Sequence, residues 1–423
     1  MKLKSAFERQ REIYIRGFSG KTSHIPFHAS ALREKARKKM SPNAWAYIDG
    51  GASDEATMMR NRKAFDAIAI IPQMMRDNST ADYSSVLFGT RLPFPFLIAP
   101  IGALDMIYPH ADLMVSAACR DTGTPFIFSN QAGNSMESCS RVMGDTDRWF
   151  QLYWSKSNDL VLSFVKRAEN CGCKAIVLTT DTTMLGWRAR DLTRGYLPFL
   201  HGLGIAQYTS DPVFQHYLRN GWEADTDEDT VKPSFTLHTI WHVLKLGLRY
   251  KGRLREGLEA AKLFTRIYTN PSLNWEHVAW LKSQTRLPVI IKGILHPADA
   301  RKAKESGADG IIVSNHGGRQ VDGAIASIEA LQEIRKAVPR PYKVLLDSGI
   351  RNGSDIFKAL ALGADAVLLG RPYVYGLAIG KQKGVEEVIR NIQNDFELTA
   401  RLSGCRNLDE IKEAEIYRAA KSE

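Results

Sequence analysis

At 423 residues the chain exceeds the ~100 to 200 residues of an average domain, yet one α/β barrel with insertions accommodates all of it. Its 44% hydrophobic and 24% charged residues exclude the core-poor profile of a disordered chain, and no run of about 18 apolar residues offers a membrane-spanning helix. The 57 Lys plus Arg against 46 Asp plus Glu give a formal charge of +11, which points to anionic partners without choosing among nucleic acid, phosphate cofactors and small carboxylates.

The first residues, MKLKSAFERQREIY, lack the apolar core of a signal peptide. Cys119, Cys139, Cys171, Cys173 and Cys405 are odd in number and scattered, as expected of free thiols in a reducing compartment. A soluble, cytoplasmic protein is the expectation. Residues 28 to 67 read as helices.

From residue 96 the chain repeats one event, a short apolar run that stops at Gly, Pro, Ser or Asp, the pattern of a parallel strand buried on both faces. The runs are Phe96 to Pro100, Pro125 to Asn130, Trp149 to Trp154, Ala175 to Asp181, Pro288 to Gly293, Gly310 to Ser314, Lys343 to Gly349 and Ala366 to Pro372. Six of the seven start-to-start intervals lie between 22 and 33 residues, room for a strand, a helix and two loops. Segments such as DLVLSFVKRAENCG and DIFKALALGA supply the helical periodicity. Eight such units predict a closed (β/α)8 TIM barrel with N-terminal helices.

The seventh interval, from 175 to 288, spans 113 residues and predicts a long insertion after barrel strand 4. One domain is expected over 1–423, with an N-terminal helical segment at 1–90, the barrel at 91–398, the insertion or lid at 197–275 and a tail at 399–423. Within the insertion, acidic EADTDED at 223 to 229 precedes a helical, basic stretch from Phe235 to Ile267. That stretch reads foremost as a solvated helix face or subunit contact, and secondarily as a surface for anionic membrane or an acidic partner.

Chemistry in such barrels gathers where the C-terminal ends of the strands meet. The residues there form a polar ring: Pro100 and Gly102, Ser129, Gln151 with Tyr153, Thr179 with Asp181, Lys292, Ser314 with His316 and Arg319, Asp347 with Gly349 and Arg351, and Gly370 with Arg371. The last two strands end as DSGIR and LLGRP, combining glycines that admit close backbone approach with arginine charge, at the recurrent phosphate position of the fold. Ser129, Gln151 and Thr179 could bond the edge of a planar heterocycle such as a flavin. Beside its pyrimidine side, Lys292 would favour the anionic reduced form.

In SNHGGRQ, His316 stands between a buried strand and a glycine pair, and Asp181 could fix its tautomer. Arg319 and Arg188 suit a bidentate clamp on a carboxylate, with Tyr47 and Tyr153 as further hydroxyl donors.

SNHGGRQ together with YIDGGASDE, FQLY, LTTDT, IIKG, DSGIR and LGRP resembles the FMN-dependent α-hydroxy acid oxidases and dehydrogenases, from about Asn43 to Ile411. That family includes glycolate oxidase, lactate oxidase, mandelate dehydrogenase and lactate 2-monooxygenase. GWRARDLT, LPFLHGL, TSDPVFQ, KGILHPADA and GRPYVYG are most similar to the last of these. The resemblance implies FMN on Pro100, Ile101, Gly102, Ser129, Gln151, Thr179, Lys292 and Ser314. It implies the FMN phosphate on Asp347, Ser348, Gly349, Ile350, Arg351, Gly370 and Arg371. A small 2-hydroxy carboxylate would meet Arg188, Arg319, Tyr47 and Tyr153, with His316 as base and Asp181 as its partner.

The implied reaction is oxidation of a lactate-like L-2-hydroxy acid to the 2-oxo acid, with hydride transfer and carbanion formation both needing the same base. Oxygen as acceptor gives peroxide if the oxo acid leaves, or a decarboxylated acid if it is retained. The family also implies a homotetramer or homo-octamer. After Ser129, where the family often has Ser or Thr and then an aromatic or small residue, Asn130 and Gln131 predict a polar wall near the substrate side chain.

Three other readings compete. A dehydrogenase resting on a membrane could pass electrons to a quinone or protein acceptor. A nucleic-acid-binding barrel would need basic residues interleaved with aromatics, which the sequence lacks. An inosine monophosphate dehydrogenase-like barrel would need a cysteine nucleophile after strand six, where none stands.

Overall fold

The computed structural model describes residues 5–222, 236 and 254–418. Eight parallel strands close into a barrel: β1 (Phe96–Ile98), β2 (Phe126–Phe128), β3 (Arg148–Leu152), β4 (Ile176–Thr179), β5 (Val289–Ile294), β6 (Gly310–Val313), β7 (Lys343–Leu346) and β8 (Ala366–Leu369). All eight apolar runs form strands, and β8 pairs with β1 to complete the ring.

Side chains alternate across these strands. One set, including Phe96, Phe126, Phe150, Ile176, Ile291, Val313, Leu346 and Leu369, packs outward under the helices. The other, Leu97, Ile127, Trp149, Val177, Ile290, Ile312, Leu345 and Leu368, fills the barrel interior. A hairpin of Ser85–Leu87 and Thr90–Leu92 closes the lower end. There the Phe88 ring meets Trp149, and the Trp149 indole donates to Thr90 Oγ1 at 2.6 Å.

Two residues further along each strand, on the same inward side, stand Ala99, Ser129, Gln151, Thr179, Lys292, Ser314, Asp347 and Gly370. The interior therefore changes from a wholly apolar layer to a mostly polar one over a single pleat. The polarity marks the upper mouth as the working end.

Four helices precede the barrel: α1 (Ala6–Phe18), α2 (Ala29–Arg37), α3 (Pro42–Asp49) and α4 (Ala56–Asp66). The last three fall in the stretch read as helical. The first lies ahead of that stretch, within the N-terminal helical segment expected over 1–90, and Ser5 and Glu8 form a reciprocal capping box at its start. Far along the chain, Ile416–Arg418 pairs antiparallel with Ile68–Ile70 and ties the C-terminal segment to the N-terminal one.

Of the insertion, the acidic 223–229 and most of the basic stretch lie outside the described residues. The Leu254–Ile267 helix is described, and Ala260, Ala261, Phe264 and Ile267 are buried on one face. Among the described residues no helix is long and apolar enough to cross a membrane.

Candidate active site

A cavity of about 900 Å³, counting its open mouth, sits over the polar layer. Pro100, Ile101 and Gly102 after β1, Tyr153 after β3, Lys292 on β5, His316 and Arg319 after β6, the Asp347–Arg351 loop after β7, Gly370 and Arg371 after β8, and Tyr47 from α3 all line it. Ser129, Gln151, Thr179, Ser314 and Asp181 lie behind these residues. Thr182, Leu185 and Gln131 also face the cavity.

The floor carries unspent hydrogen-bonding capacity. Gln151 Oε1 accepts from the Asn130 amide at 3.1 Å, which directs the amide's other end away, and Gln151 Nε2 is buried with no partner. Thr179 Oγ1 is likewise buried and unpartnered. Lys292 Nζ donates to Ser314 Oγ at 3.0 Å and lies 3.2 Å from Asp347 Oδ2, while Ser314 Oγ donates to Asp347 at 2.6 Å. Burial opposes the charge on Lys292, but Asp347 and Asp181 hold its ammonium above the usual lysine range.

His316 adopts φ +56°, an uncommon conformation for a non-glycine residue, held by its own amide donating to Ser314 Oγ at 3.0 Å. Its Nδ1 lies 2.7 Å from Asp181 Oδ1, which also accepts from Thr182 Oγ1 at 2.9 Å. A carboxylate only accepts, so Nδ1 carries the hydrogen and Nε2 is the open lone pair. Burial and the Lys292 charge push the imidazole below its ordinary range against the upward pull of Asp181, leaving it neutral at pH 7. Burial opposes ionisation of Asp181 too, yet His316 and Lys292 together hold its carboxyl down at about 2.

Across the cavity the Arg319 guanidinium stands 4.9 Å from the Tyr47 ring centre and that of Arg188 5.9 Å from it. Arg319 donates to the carbonyls of Tyr47 and Gly50, and Arg188 to Gln320 Oε1 at 3.2 Å, with Arg188 Nε buried and unpartnered. Burial and the neighbouring Arg188 push Arg319 down to about 9, so it stays charged at neutral pH.

At the other end, Gly349 takes φ +92°, where a Cβ would meet the Phe65 ring at 2.9 Å. Arg351 is half-buried and held down at about 10 by desolvation and by Arg371 and Arg62, while the nearby Asp355 is occupied by Arg62 at 2.6 Å. Arg371 begins the helix Arg371–Leu402, whose N-terminus favours an anion. Its guanidinium, expected to serve the anion directly, donates instead to the carbonyls of Ile48, Gly50 and Gly317 at 3.1, 2.8 and 2.9 Å. Among the described residues, Arg188, Arg319, Arg351 and Arg371 form no ion pair with a carboxylate. Four buried or half-buried cations thus flank one cavity, two at each end, with only the through-space influence of Asp191 on Arg188 and Arg319, of Asp49 on Arg371 and of Asp355 on Arg351.

A family model described as FMN-dependent dehydrogenase matches residues 36–418. The chain belongs to that family. It is 38% identical over 393 residues to an L-lactate oxidase of Lysinibacillus sphaericus, covering 92% of this chain and 93% of the relative. It is 36% identical to glycolate oxidase of Spinacia oleracea, covering 90% and 93%. A crystal structure of mandelate oxidase with (S)-4-hydroxymandelic acid superposes with a TM-score of 0.77 at 32% identity, covering 93% and 99%. The protein is an FMN-dependent oxidoreductase. The residues present fit that cofactor, since Gln151 Nε2 and Thr179 Oγ1 are orphaned at the floor and Arg351 lacks an anion beside the left-handed Gly349.

Three side chains escaped the sequence reading. Gln320 donates from Nε2 to the carbonyls of Asp181 and Met184 at 2.7 and 2.9 Å, pinning the loop that carries Arg188; Thr182 and Leu185 belong to that loop. The polar wall is also narrower than expected. Gln131 faces the cavity, but Asn130 turns away and bonds the Tyr153 amide at 3.1 Å and the Tyr208 hydroxyl at 3.3 Å.

Proposed function

We propose that this protein oxidises a small L-2-hydroxy carboxylate to its 2-oxo acid with oxygen as the electron acceptor. The observation that carries the reading is His316 Nε2, left open by the Asp181 bond, lining the same cavity as two arginines that form no ion pair. Arg188 and Arg319 bind the substrate carboxylate through their unspent donors, and the Tyr47 and Tyr153 hydroxyls complete its orientation.

With the substrate so held, His316 Nε2 takes its proton while Asp181 stabilises the resulting imidazolium. FMN, held by the Pro100–Gly102 segment, Ser129, Gln151, Thr179, Lys292 and Ser314, supplies the two-electron acceptor. Lys292 places positive charge at the floor, where it would favour the anionic form of a bound flavin. Asp347 to Arg351, Gly370 and Arg371 hold its phosphate by backbone amides, the Arg351 guanidinium and the helix N-terminus.

Lactate is the first substrate to test. Release of the oxo acid gives pyruvate and hydrogen peroxide; retention gives acetate, carbon dioxide and water, in the manner of lactate 2-monooxygenase. The insertion supports retention, because it docks against the loop after β2. The Ala206 amide donates to the Ala132 carbonyl at 3.0 Å, and fully buried Gln207 bonds the Met136 amide at 3.0 Å and the Asn134 carbonyl at 3.3 Å.

The deciding experiment is an anaerobic absorbance spectrum of the holoenzyme before and after L-lactate, then air and quantitation of pyruvate, acetate and peroxide. Loss of the flavin band and regain in air support the reading, and the products separate the two outcomes. A band restored only by a quinone or protein acceptor would refute oxygen as acceptor. A band that persists with lactate, glycolate and mandelate alike would refute the hydroxy acid assignment.

A further inference from the structure

Asn130 is fully buried, and neither of its side-chain contacts is with the cavity. Its Oδ1 accepts from two donors on different elements, the backbone amide of Tyr153 at 3.1 Å and the Tyr208 hydroxyl at 3.3 Å. The amide cannot be turned over, because Nδ2 would then face the Tyr153 N–H, donor against donor. As placed, Nδ2 is buried without a partner, so the residue forgoes one hydrogen bond to make the other two. Its backbone amide meanwhile fixes Gln151 by donating to Oε1 at 3.1 Å.

Tyr208 belongs to the insertion. Its ring is wedged edge-on among Phe164, Phe214 and Phe264, with centroids at 4.9, 5.6 and 4.7 Å, so the hydroxyl has little freedom to seek another partner. Tyr153, at the other end, lines the cavity with its phenol beside Thr182. One carbonyl oxygen therefore joins the insertion to the backbone of a residue that faces the substrate.

We propose that Asn130 is a positioning residue, through which the docked insertion sets where the Tyr153 hydroxyl stands over the substrate carboxylate. The Tyr208 hydroxyl is the insertion's end of this link. The inference rests on the hydroxy acid reading above, in which Tyr153 contacts the carboxylate. If the insertion shifts, the Tyr208 bond is lost first, Asn130 gains a degree of freedom, and Tyr153 loses its fixed backbone anchor. Affinity for the carboxylate then responds to a residue that never touches it.

The test titrates oxidised holoenzyme with pyruvate, a carboxylate that cannot be oxidised by the same step, and follows the perturbation of the bound FMN spectrum. Tyr208→Phe keeps the aromatic packing and deletes the hydroxyl. It should weaken pyruvate by about 3- to 10-fold, the range of one net hydrogen bond, and raise the KM for the hydroxy acid proportionately more than it lowers kcat. Asn130→Leu, similar in volume but unable to accept, should weaken it by roughly tenfold or more. In that background Tyr208→Phe should add nothing further, since the link is already broken.

Unchanged pyruvate affinity in a folded Tyr208→Phe holoenzyme would overturn the proposal. So would additive losses in the double variant. Should Asn130→Leu fail to fold, the Tyr208→Phe titration stands by itself. A wild-type protein that neither binds pyruvate nor oxidises a hydroxy acid would instead sink the functional reading, which separates the two failures.

Discussion

Replacing Arg351 by Met should stabilise the apoprotein while weakening its hold on FMN. In the protein without FMN this guanidinium is half-buried beside Arg371 and Arg62 with no carboxylate of its own, and it is held down at about 10. At 1.36 kcal/mol for each tenfold change in proton affinity, that environment penalises the charge by on the order of 3 kcal/mol. Methionine removes the penalty while keeping most of the side chain's packing, so part of that energy should return as a higher Tm of the apoprotein. The FMN phosphate loses a charge-assisted bond worth about 1.5 to 3 kcal/mol, or roughly 10- to 150-fold in affinity. Apoprotein prepared by resolving the flavin, titrated with FMN by fluorescence quenching, reads the second effect, and thermal melts with and without saturating FMN read the first. The gap between the two melts should narrow, because ligand stabilisation follows affinity. A lower apoprotein Tm with unchanged FMN affinity would show that Arg351 is a structural cation and would refute the argument.

Three further outcomes follow from the same geometry. His316→Ala should keep its FMN yet lower the anaerobic rate of flavin bleaching by about a hundred- to ten-thousand-fold in a rapid-mixing assay, whereas loss of flavin with residual turnover would reverse the assignments. Because burial and Lys292 depress the imidazole, and a base must be unprotonated, kcat/KM should fall on the acid side with its midpoint below 6.5, and again on the alkaline side near 9 where Arg319 loses its charge; an acid limb centred above pH 7 would contradict the electrostatics. Gly204 sits at φ +70° with its Cβ position 2.9 Å from the Gln131 carbonyl oxygen, so Gly204→Ala should destabilise by about 1 to 2 kcal/mol and loosen the insertion. If lactate is a substrate, its products should shift from acetate towards pyruvate and peroxide, and an unchanged ratio in an active variant would deny the insertion a role in retention.

The barrel and the ring above it are legible in sequence for one reason: a strand buried on both faces admits no polar residue until it leaves the core. Gln151, Thr179 and Lys292 end apolar runs, and they stand out because the pleat carries them into the same inward column as Trp149, Val177 and Ile290. Contacts between distant segments leave no such local mark. Gln320 pins the Arg188 loop across 132 residues, and no periodicity signals it. Asn130 and Gln131 illustrate the limit more sharply. Adjacent in sequence and similar in chemistry, they point to opposite sides, and only the partners waiting for them, Tyr153 and Tyr208 for one and the cavity for the other, tell them apart. The capping box of α1 was written in Ser5 and Glu8, but a short helix ahead of any strand offers little else to fix its bounds.

The carbonyls of Tyr47, Ile48 and Gly50 hold two of the cavity's arginines, Arg319 at the proposed substrate end and Arg371 at the proposed phosphate end. These acceptors belong to α3 and the turn that follows it, outside the barrel altogether. The cavity's appetite for anions is thus adjusted by dipoles on a separate arm of the chain, which share the cationic charge without neutralising it. A graft of the eight strand-end loops onto another barrel would transplant the arginines and leave their governors behind. Conversely, backbone changes around residue 50 offer a way to retune both anion sites together while every side chain that faces a ligand stays as it is.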